Sequence, residues 1–465
     1  MGFDLDLTLV DSRPGGRVVW QRVADHYGVP IDVELALSRM GPPVEQELAH
    51  WFPAELVAEA AEVFRSHVAE VGATNVLAMP GAREAVAAVR RHGGRVVIAT
   101  AKKQEFGETN LRTLGIAVDA VHGWCWGETK GDAMLLEGAQ VYVGDHPLDV
   151  IGARRAGAVA VGVRTGGSEP TGADVLLGDL TSFPDWLDGW VLEQRLSSVQ
   201  EQLRGLGSVL VAFSGGADSA FLLAAAARAL GPENVVAATA VSPSLAQAEL
   251  PAAVAFAESL GVRHLTPSTD ELSREGYVAN GADRCFHCKA TLLDTLRPLA
   301  HAHGLAAVAT GTNADDAVDG FRPGIRAAAE RGAVTPLRDA GLTKDQVRRA
   351  SALWGLATAD KPALACLASR IAYGIEVTPA RLARVDRVES ALRELLQPTD
   401  VRVRDLGDGT ARVELDPGAL ARWDEAADAV VRREFDQHAT REFRSGSMNE
   451  LLAAGADQQA EQRQP

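Results

Sequence analysis

Apolar residues along the chain fall into two kinds of pattern. Short continuous runs, Gly2-Phe3, Arg95-Val96-Val97-Ile98-Ala99, Val141-Tyr142-Val143 and Val159-Ala160-Val161-Gly162-Val163, alternate with longer helical stretches. Runs of that kind predict parallel strands covered on both faces and joined by crossover helices, which opens sites at the strands' carboxyl ends. Between about Pro14 and Met79 the pattern is helical and strand-poor, and predicts an inserted helical cap. Leu192, Leu196, Val199 and Leu203 then recur at spacings of four, three and four, the stripe of an amphipathic helix. A second series follows with Val209-Leu210-Val211-Ala212-Phe213, Val235-Val236-Ala237-Ala238 and Ala306-Ala307-Val308-Ala309-Thr310. Past about Val377 come a helix rich in Arg, Leu and Glu, a strand pair around Val401-Arg402-Val403 and Ala411-Arg412-Val413-Glu414-Leu415, and another helix. The expected division is 1–189, 190–376, a small α+β region over 377–454, and a polar, Gln-rich tail over 455–465.

The 465 residues suit two to four domains at roughly 100–200 residues each. With 46% hydrophobic and 23% charged residues the chain can build full-sized cores. A net charge of −16 disfavours nucleic acid as a partner, because phosphate backbones are drawn to positive surfaces. No apolar run reaches the roughly 20 residues of a membrane helix, and no basic stretch followed by an apolar signal region opens the chain. A cytoplasmic protein without membrane contact is expected. Four cysteines cannot staple 465 residues, so in a reducing compartment they are either packed or chemically used.

Phe3-Asp4-Leu5-Asp6-Leu7-Thr8-Leu9-Val10-Asp11 sets Asp4 and Asp6 two residues apart where a short strand ends, so that both can face one pocket. A carboxylate attacking a phosphate dianion needs a divalent cation and a positive side chain to offset repulsion. Asp145 and Asp149, in Gly144-Asp145-His146-Pro147-Leu148-Asp149, are oxygen ligands suited to Mg²⁺. Thr100, after a strand, can bond a phosphate oxygen, and Lys130 can supply the counter-charge, with Lys102 and Lys103 as rivals. In that order these motifs resemble the haloacid dehalogenase superfamily of phosphatases over about residues 1–189. The resemblance implies Asp4 as nucleophile, Asp6 as general acid/base, Thr100 and Lys130 as phosphate binders, and Asp4, Asp6, Asp145 and Asp149 around Mg²⁺. Leu7 stands where that family commonly has Gly, and only three residues precede Asp4.

Phe213-Ser214-Gly215-Gly216-Ala217-Asp218-Ser219 follows an apolar strand and opens a helical run. Glycines there let backbone N–H groups approach an anion, and the helix N-terminus adds partial positive charge. Without the Gly-Lys-Ser/Thr ending of a Walker loop, transfer of a γ-phosphate is not implied. The pattern resembles the PP-loop ATP pyrophosphatases, with Ser214, Gly215, Gly216, Asp218 and Ser219 at ATP and a substrate oxygen attacking the α-phosphorus.

Asp283-Arg284-Cys285-Phe286-His287-Cys288-Lys289 carries a Cys-x-x-Cys, and Cys366-Leu367-Ala368-Ser369-Arg370 a further cysteine; Cys125 stands apart and reads as a structural thiol. An adenylated carboxylate is an acyl electrophile that a thiolate captures, and Arg370 is placed to favour the thiolate of Cys366 if the segment is helical. With Gly311-Thr312-Asn313-Ala314-Asp315-Asp316, Asp319-Gly320-Phe321-Arg322-Pro323-Gly324 and Ser445-Gly446-Ser447-Met448-Asn449-Glu450, these segments resemble the LarE family of ATP-dependent sulfur transferases over about residues 195–450. The resemblance implies adenylation of a small, nucleotide-like carboxylate substrate and sulfur insertion, as in nickel-pincer cofactor biosynthesis. Cys366 is then the sulfur donor, with Ser369 and Arg370 beside it and Arg322 and Arg326 on the substrate phosphate. Alternatively Cys285, Cys288 and Cys366 hold a [4Fe-4S] cluster that carries an extra sulfide, or, with His287 or His264, a zinc ion.

The expected fold class is α/β: a haloacid dehalogenase-like Rossmannoid domain with a helical cap, then a PP-loop (adenine nucleotide alpha-hydrolase-like) doubly wound domain with a small α+β appendage. The expected protein is a bifunctional, homo-oligomeric enzyme using ATP and Mg²⁺. The alternatives are a tRNA-thiolating PP-loop enzyme, and a non-catalytic scaffold joined to a nucleotide-sensing domain.

Overall fold

The computed structural model describes residues 1–318, 323–362 and 365–444. The chain forms two compact units, Met1–Val191 and Leu192–Pro465. No helix among the described residues is long and apolar enough to cross a membrane.

The first unit contains β1 (Gly2–Phe3), β2 (Val10–Asp11), β3 (Leu77–Ala78), β4 (Val97–Ala99), β5 (Ala120–His122), β6 (Val141–Gly144), β7 (Val159–Val163) and β8 (Val175–Leu177). Six of these form one parallel sheet in the order β5-β4-β1-β6-β7-β8. Val97, Ile98, Val141, Tyr142 and Val143 are buried, as strands covered by helices on both faces require. β1 has only two residues, yet it is paired on both sides: Gly2 with Val97 and Tyr142, Phe3 with Ile98 and Val143. Backbone bonds extend the pairing at each end, from Val97 N–H to Met1 O and from Asp4 N–H to Val143 O. Chain direction across the sheet reverses between β1 and β6, so their carboxyl ends frame the crevice where such sheets bind ligands.

The segment between β2 and β3 is a helical cap of Arg13–Tyr27, Val33–Ser38, Val44–Leu48 and Ala54–His67, closed by a short π-helical turn, Val68–Gly72. Its own small core gathers Trp20, Leu37, Leu48, Phe52 and Ala60. The antiparallel pair β2–β3, Val10 opposite Ala78 and Asp11 opposite Leu77, ties the two stems of the insertion together. The helix Phe183–Leu206 leads out of this unit into the next.

The second unit contains β9 (Val209–Ala212), β10 (Val235–Ala238), β11 (Arg263–Leu265) and β12 (Ala307–Thr310), a parallel sheet in the order β11-β10-β9-β12. Leu192, Val199 and Leu203 of the amphipathic stripe are buried in its core with Val209, Val211, Phe221 and Leu223. A second sheet follows, β13 (Val401–Gly407), β14 (Thr410–Leu415) and β15 (Gln437–Glu442), antiparallel across β13–β14 and parallel across β14–β15. β15 is polar and largely exposed, so it lacks the alternation by which a strand is read from sequence. Leu367, Ala368 and Ile371 share a core with Val385, Leu392, Val403 and Val413, which anchors the segment carrying Cys366 on this smaller layer. Arg322, the rest of Asp319–Arg322, Ser445–Glu450 and the 455–465 tail lie outside the described residues.

Candidate active sites

In the first unit the strand ends bring three carboxylates together. Asp4 follows β1, Asp145 follows β6, and Asp149 reaches back from the first turn of the helix Pro147–Arg155. Among the described residues, Asp4, Asp145 and Asp149 form a buried group whose carboxylate oxygens lie within 4.8 Å of one another. Gly144 makes that approach possible, since a Cβ there would lie 2.3 Å from Cγ of Asp149. Asp149 is fixed by the His146 N–H at 3.0 Å in a reciprocal capping arrangement. The Thr8 hydroxyl donates to Asp145 at 3.1 Å.

Lys130 enters this group from the helix Glu128–Leu136, its ammonium 2.7 Å from Asp4 and 2.6 Å from Asp149, and it is only 2% exposed. Burial opposes its charge, but Asp149 and Asp4 outweigh burial and raise its pKa. Burial, with repulsion from Asp149, pushes Asp4 up to about 7 against the pull of Lys130. Asp145 is pushed up to about 8 by burial and by Asp4 and Asp149. Once ionised, three buried carboxylates beside one ammonium carry an excess of negative charge, which a hard divalent cation such as Mg²⁺ neutralises with oxygen ligands. The donor set fits that ion.

Asp6 does not join the three. The chain turns sharply after Asp4, with Leu9 N–H bonded to Leu5 O, and sends Asp6 elsewhere. It takes the Lys102 ammonium at 2.6 Å and the Ser12 hydroxyl, while Lys102 also bonds Asn110 at 2.8 Å. Asp6 side-chain ligation of the same ion is therefore corrected, and Lys102 serves Asp6 while Lys130 serves Asp4. Thr100 is buried directly after β4, its hydroxyl accepting from the Lys102 N–H at 3.2 Å. Leu7 adopts φ +58, the left-handed region, which explains why glycine suits this position. Cys125 packs against the apolar cluster of Val97, Ala133 and Tyr142, and burial raises its pKa.

In the second unit β9 runs into the loop Ser214–Gly216, and the helix Ala217–Leu230 starts directly after it. Gly215 has φ +73, and its carbonyl accepts from Lys361 at 3.0 Å. The Ser219 hydroxyl donates to Gly216 O at 3.0 Å and lies 3.1 Å from the Ser214 hydroxyl, closing the loop on itself. Asp218 has one buried carboxylate oxygen, Oδ1, without a hydrogen-bond partner, and burial raises its pKa. A buried orphan acceptor beside a phosphate loop fits the Mg²⁺ that accompanies a triphosphate.

This loop opens onto a cavity of about 490 Å³. Ser214, Asp218 and Ser219 line one part of it, Cys288 and Cys366 another, and Lys344, Arg348 and Lys361 add positive charge. No sequence motif marked those three cations; they come from separate positions that folding brings to the loop.

Cys366 is exposed at the start of the short 3-10 turn Leu367–Arg370. Leu367 N–H bonds Ser244 O at 2.9 Å, and the Ser369 hydroxyl donates to Cys366 O at 2.7 Å, which fixes the turn. Arg370 does not serve the thiol. It is buried, pairs with Glu389 at 2.9 Å, and donates to the carbonyl oxygens of Ala365 at 2.6 Å and Cys366 at 3.3 Å. Its expected roles in thiolate formation and substrate binding are therefore corrected to backbone support. The cation near Cys366 and Cys285 is Arg284, buried and bonded to Ala368 O at 2.9 Å; burial lowers its pKa, but Cys366 and Cys285 outweigh that and raise it, while Lys289 lies near Cys288. Arg284 directly precedes the Cys-x-x-Cys in the sequence, and that adjacency is its local signal.

Cys288 is partly buried, and burial followed by Cys366 and Glu271 raises its pKa. Tyr277 is buried with its hydroxyl on Ser244, its pKa raised by burial and then by Cys366. The sulfurs of Cys285, Cys288 and Cys366 do not gather within 4.8 Å. His287 bonds Asp283 and His264 bonds Thr239, so a zinc site with either histidine is not formed among the described residues. Arg326 is exposed and stacks over Phe286 at 4.6 Å rather than lining the cavity.

Residues 2–123 match the family model for haloacid dehalogenase-like hydrolases, and residues 192–397 match that for asparagine synthase, a PP-loop ATP pyrophosphatase family. The chain is 34% identical to pyridinium-3,5-bisthiocarboxylic acid mononucleotide synthase of Lactiplantibacillus plantarum, over 56% of this chain and 96% of that protein. The chain belongs to the LarE family. Its LarE-like unit follows a haloacid dehalogenase-like unit, each of α/β fold. Uncharacterized protein slr1717 of Synechocystis sp. is 45% identical over 49% of this chain and 83% of its own length. Validoxylamine A 7'-phosphate phosphatase of Streptomyces hygroscopicus subsp. limoneus is 29% identical over 38% of this chain and 92% of its own length.

Proposed function

We propose that the LarE-like unit uses ATP to adenylate a carboxylate on a pyridinium-type mononucleotide and replaces one carboxylate oxygen with sulfur. The observation carrying this reading is that the Ser214 loop and Cys366 line the same cavity. The carboxylate oxygen attacks the α-phosphorus and pyrophosphate leaves; the Cys366 sulfur then attacks the acyl carbon and AMP leaves. The thioester is released when the Cα proton of residue 366 passes to a base and its Cβ–S bond breaks. That step leaves dehydroalanine in the chain and a thiocarboxylate on the product. Lys344, Arg348 and Lys361 offset triphosphate charge, and Asp218 would hold the accompanying Mg²⁺.

A second reading is supported by Cys288 sharing the cavity wall with Cys366. Cys285, Cys288 and Cys366 would hold a [4Fe-4S] cluster, which would supply an iron able to carry an extra sulfide, and with free inorganic sulfide as the co-substrate that replaces it the chain would turn over without losing its own sulfur. Anaerobic purification with iron analysis, followed by intact-mass measurement after turnover, separates the two. Loss of H₂S from residue 366 supports the sacrificial route, and bound iron with unchanged chain mass the cluster route. Absence of pyrophosphate release with every carboxylate offered sinks both.

The haloacid dehalogenase-like unit hydrolyses a phosphomonoester in this reading. Asp4 attacks phosphorus as the P–O bond to the alcohol breaks and the departing oxygen takes a proton; water then cleaves the acyl phosphate, releasing inorganic phosphate and restoring Asp4. Asp4, Asp145 and Asp149 would hold Mg²⁺, which offsets the charge of the phosphate. Lys130 holds Asp4 in place, and Asp6 handles the proton. Equal phosphate release by wild type and Asp4→Asn across a panel of phosphorylated metabolites overturns it.

A further inference from the structure

The first unit holds a feature that phosphate chemistry alone does not use. A cavity of about 140 Å³ lies between the cap and the loops after β4 and β5, with Asp6 and Lys102 among its lining residues. Trp20, Phe64, Phe106 and Trp124 give it aromatic walls.

Trp124 is unusual in two independent ways. Its φ is +57, a left-handed conformation that costs a bulky side chain about 1–2 kcal/mol. It is also 56% exposed, so burial does not repay that cost. The conformation is enforced by the Trp124 N–H on Lys102 O at 3.0 Å and the Cys125 N–H on Thr100 O at 2.9 Å, both in the loop after β4. Arg65 of the cap helix Ala54–His67 lies over the indole at 4.9 Å and is itself held by Glu45 and Glu62. That contact joins cap to core and sets the plane of the ring. Strain retained in the wall of a cavity that Asp6 also lines, on an exposed aromatic plate, points to a ligand that stacks there.

We propose that Trp124, backed by Arg65, is the stacking plate for the planar ring of a mononucleotide whose phosphate lies at Asp4. The haloacid dehalogenase-like unit then takes phosphomonoesters of aromatic-ring nucleosides rather than sugar or polyol phosphates, whose hydroxyls gain little from an aromatic wall. This assignment rests on the hydrolase reading above. It also fits the neighbouring unit's chemistry as proposed, since AMP and a pyridinium mononucleotide are both molecules of this class.

The test uses the full chain with Mg²⁺ and measures phosphate release from AMP, nicotinamide mononucleotide, ribose 5-phosphate and glycerol 3-phosphate. The expected result is kcat/KM at least tenfold higher for one or both nucleotides than for ribose 5-phosphate. Trp124→Leu erases that difference chiefly through KM, and Trp124→Phe retains most of it; thermal melting checks that both variants fold. Equal efficiency on all four esters, or an equal fall on all four in Trp124→Leu, overturns the plate while leaving the hydrolase reading intact. Release that is identical in wild type and Asp4→Asn overturns both.

Discussion

Lys130 donates to Asp4 across 2.7 Å although 126 residues separate them in the chain. With Asp149 on its other side, this ammonium is the positive charge within a buried trio of carboxylates. Removing it strands them. Lys130→Met is expected to cost about 3–5 kcal/mol of stability, the usual range for breaking a buried ion pair. Chemical denaturation measures it, and added Mg²⁺ should recover part of the loss by replacing the missing charge.

Asp4 at about 7 and Asp145 at about 8 make the unit's stability depend on pH. Both carboxyls hold protons in the folded state that the unfolded chain, titrating near 4, has already released. Stability from these groups is therefore present at low pH and is lost as pH rises from about 4 through about 8. Mg²⁺ binds the ionised forms, so it should raise the melting temperature more at pH 8 than at pH 5. Asp145→Asn should flatten the metal-free pH dependence. An equal Mg²⁺ effect at both pH values contradicts the arrangement.

Leu7 reverses an ordinary rule. Glycine within a folded segment is generally less stable than alanine by about 0.5–1 kcal/mol. At φ +58 the order should invert, with Leu7→Gly more stable than Leu7→Ala by about 1 kcal/mol in urea titrations. Both variants should fall below wild type, because Leu7 is buried.

Arg370 supports the turn that carries Cys366 rather than its thiol. Arg370→Met removes the bidentate partner of the buried Glu389, which keeps hydrogen bonds from Arg393 and the Val403 N–H and the attraction of Arg402 and Arg404, and should destabilise the second unit by about 3 kcal/mol. Thiol alkylation rates measured before unfolding should rise as the turn loosens. An unchanged melting profile with altered thiol reactivity would instead assign Arg370 to the sulfur.

Lys361 bridges the Gly215 carbonyl and Glu249 at 3.0 Å each. Lys361→Met should weaken ATP binding about tenfold, the scale of one charge-assisted contact, while Cys366→Ala leaves ATP affinity intact. Calorimetric titration with a non-hydrolysable ATP analogue measures both.

Much of this molecule is written in its local sequence. The runs at Val141-Tyr142-Val143 and Val209-Leu210-Val211 identify themselves as doubly buried strands, and Asp4, Asp145, Ser214 and Asp218 follow strands because phosphate chemistry sits at strand ends. Those features depend on neighbours a few residues away. β5 and β11 were not legible, being three-residue strands of mixed polarity, nor was β8, whose three apolar residues are too few to show a period, nor the polar edge strand β15. The partners were also decided only by folding: Lys130 with Asp4, Lys102 with Asp6, Arg370 with Glu389, and Lys344, Arg348 and Lys361 around the loop at Ser214. A charged side chain shows its chemical type in sequence but not its direction. For Lys130, Lys102, Arg370 and Lys361 the deciding quantity is a contact of about 3 Å, and for Lys344 and Arg348 a place on the cavity wall, both set by the packing of sheets and helices.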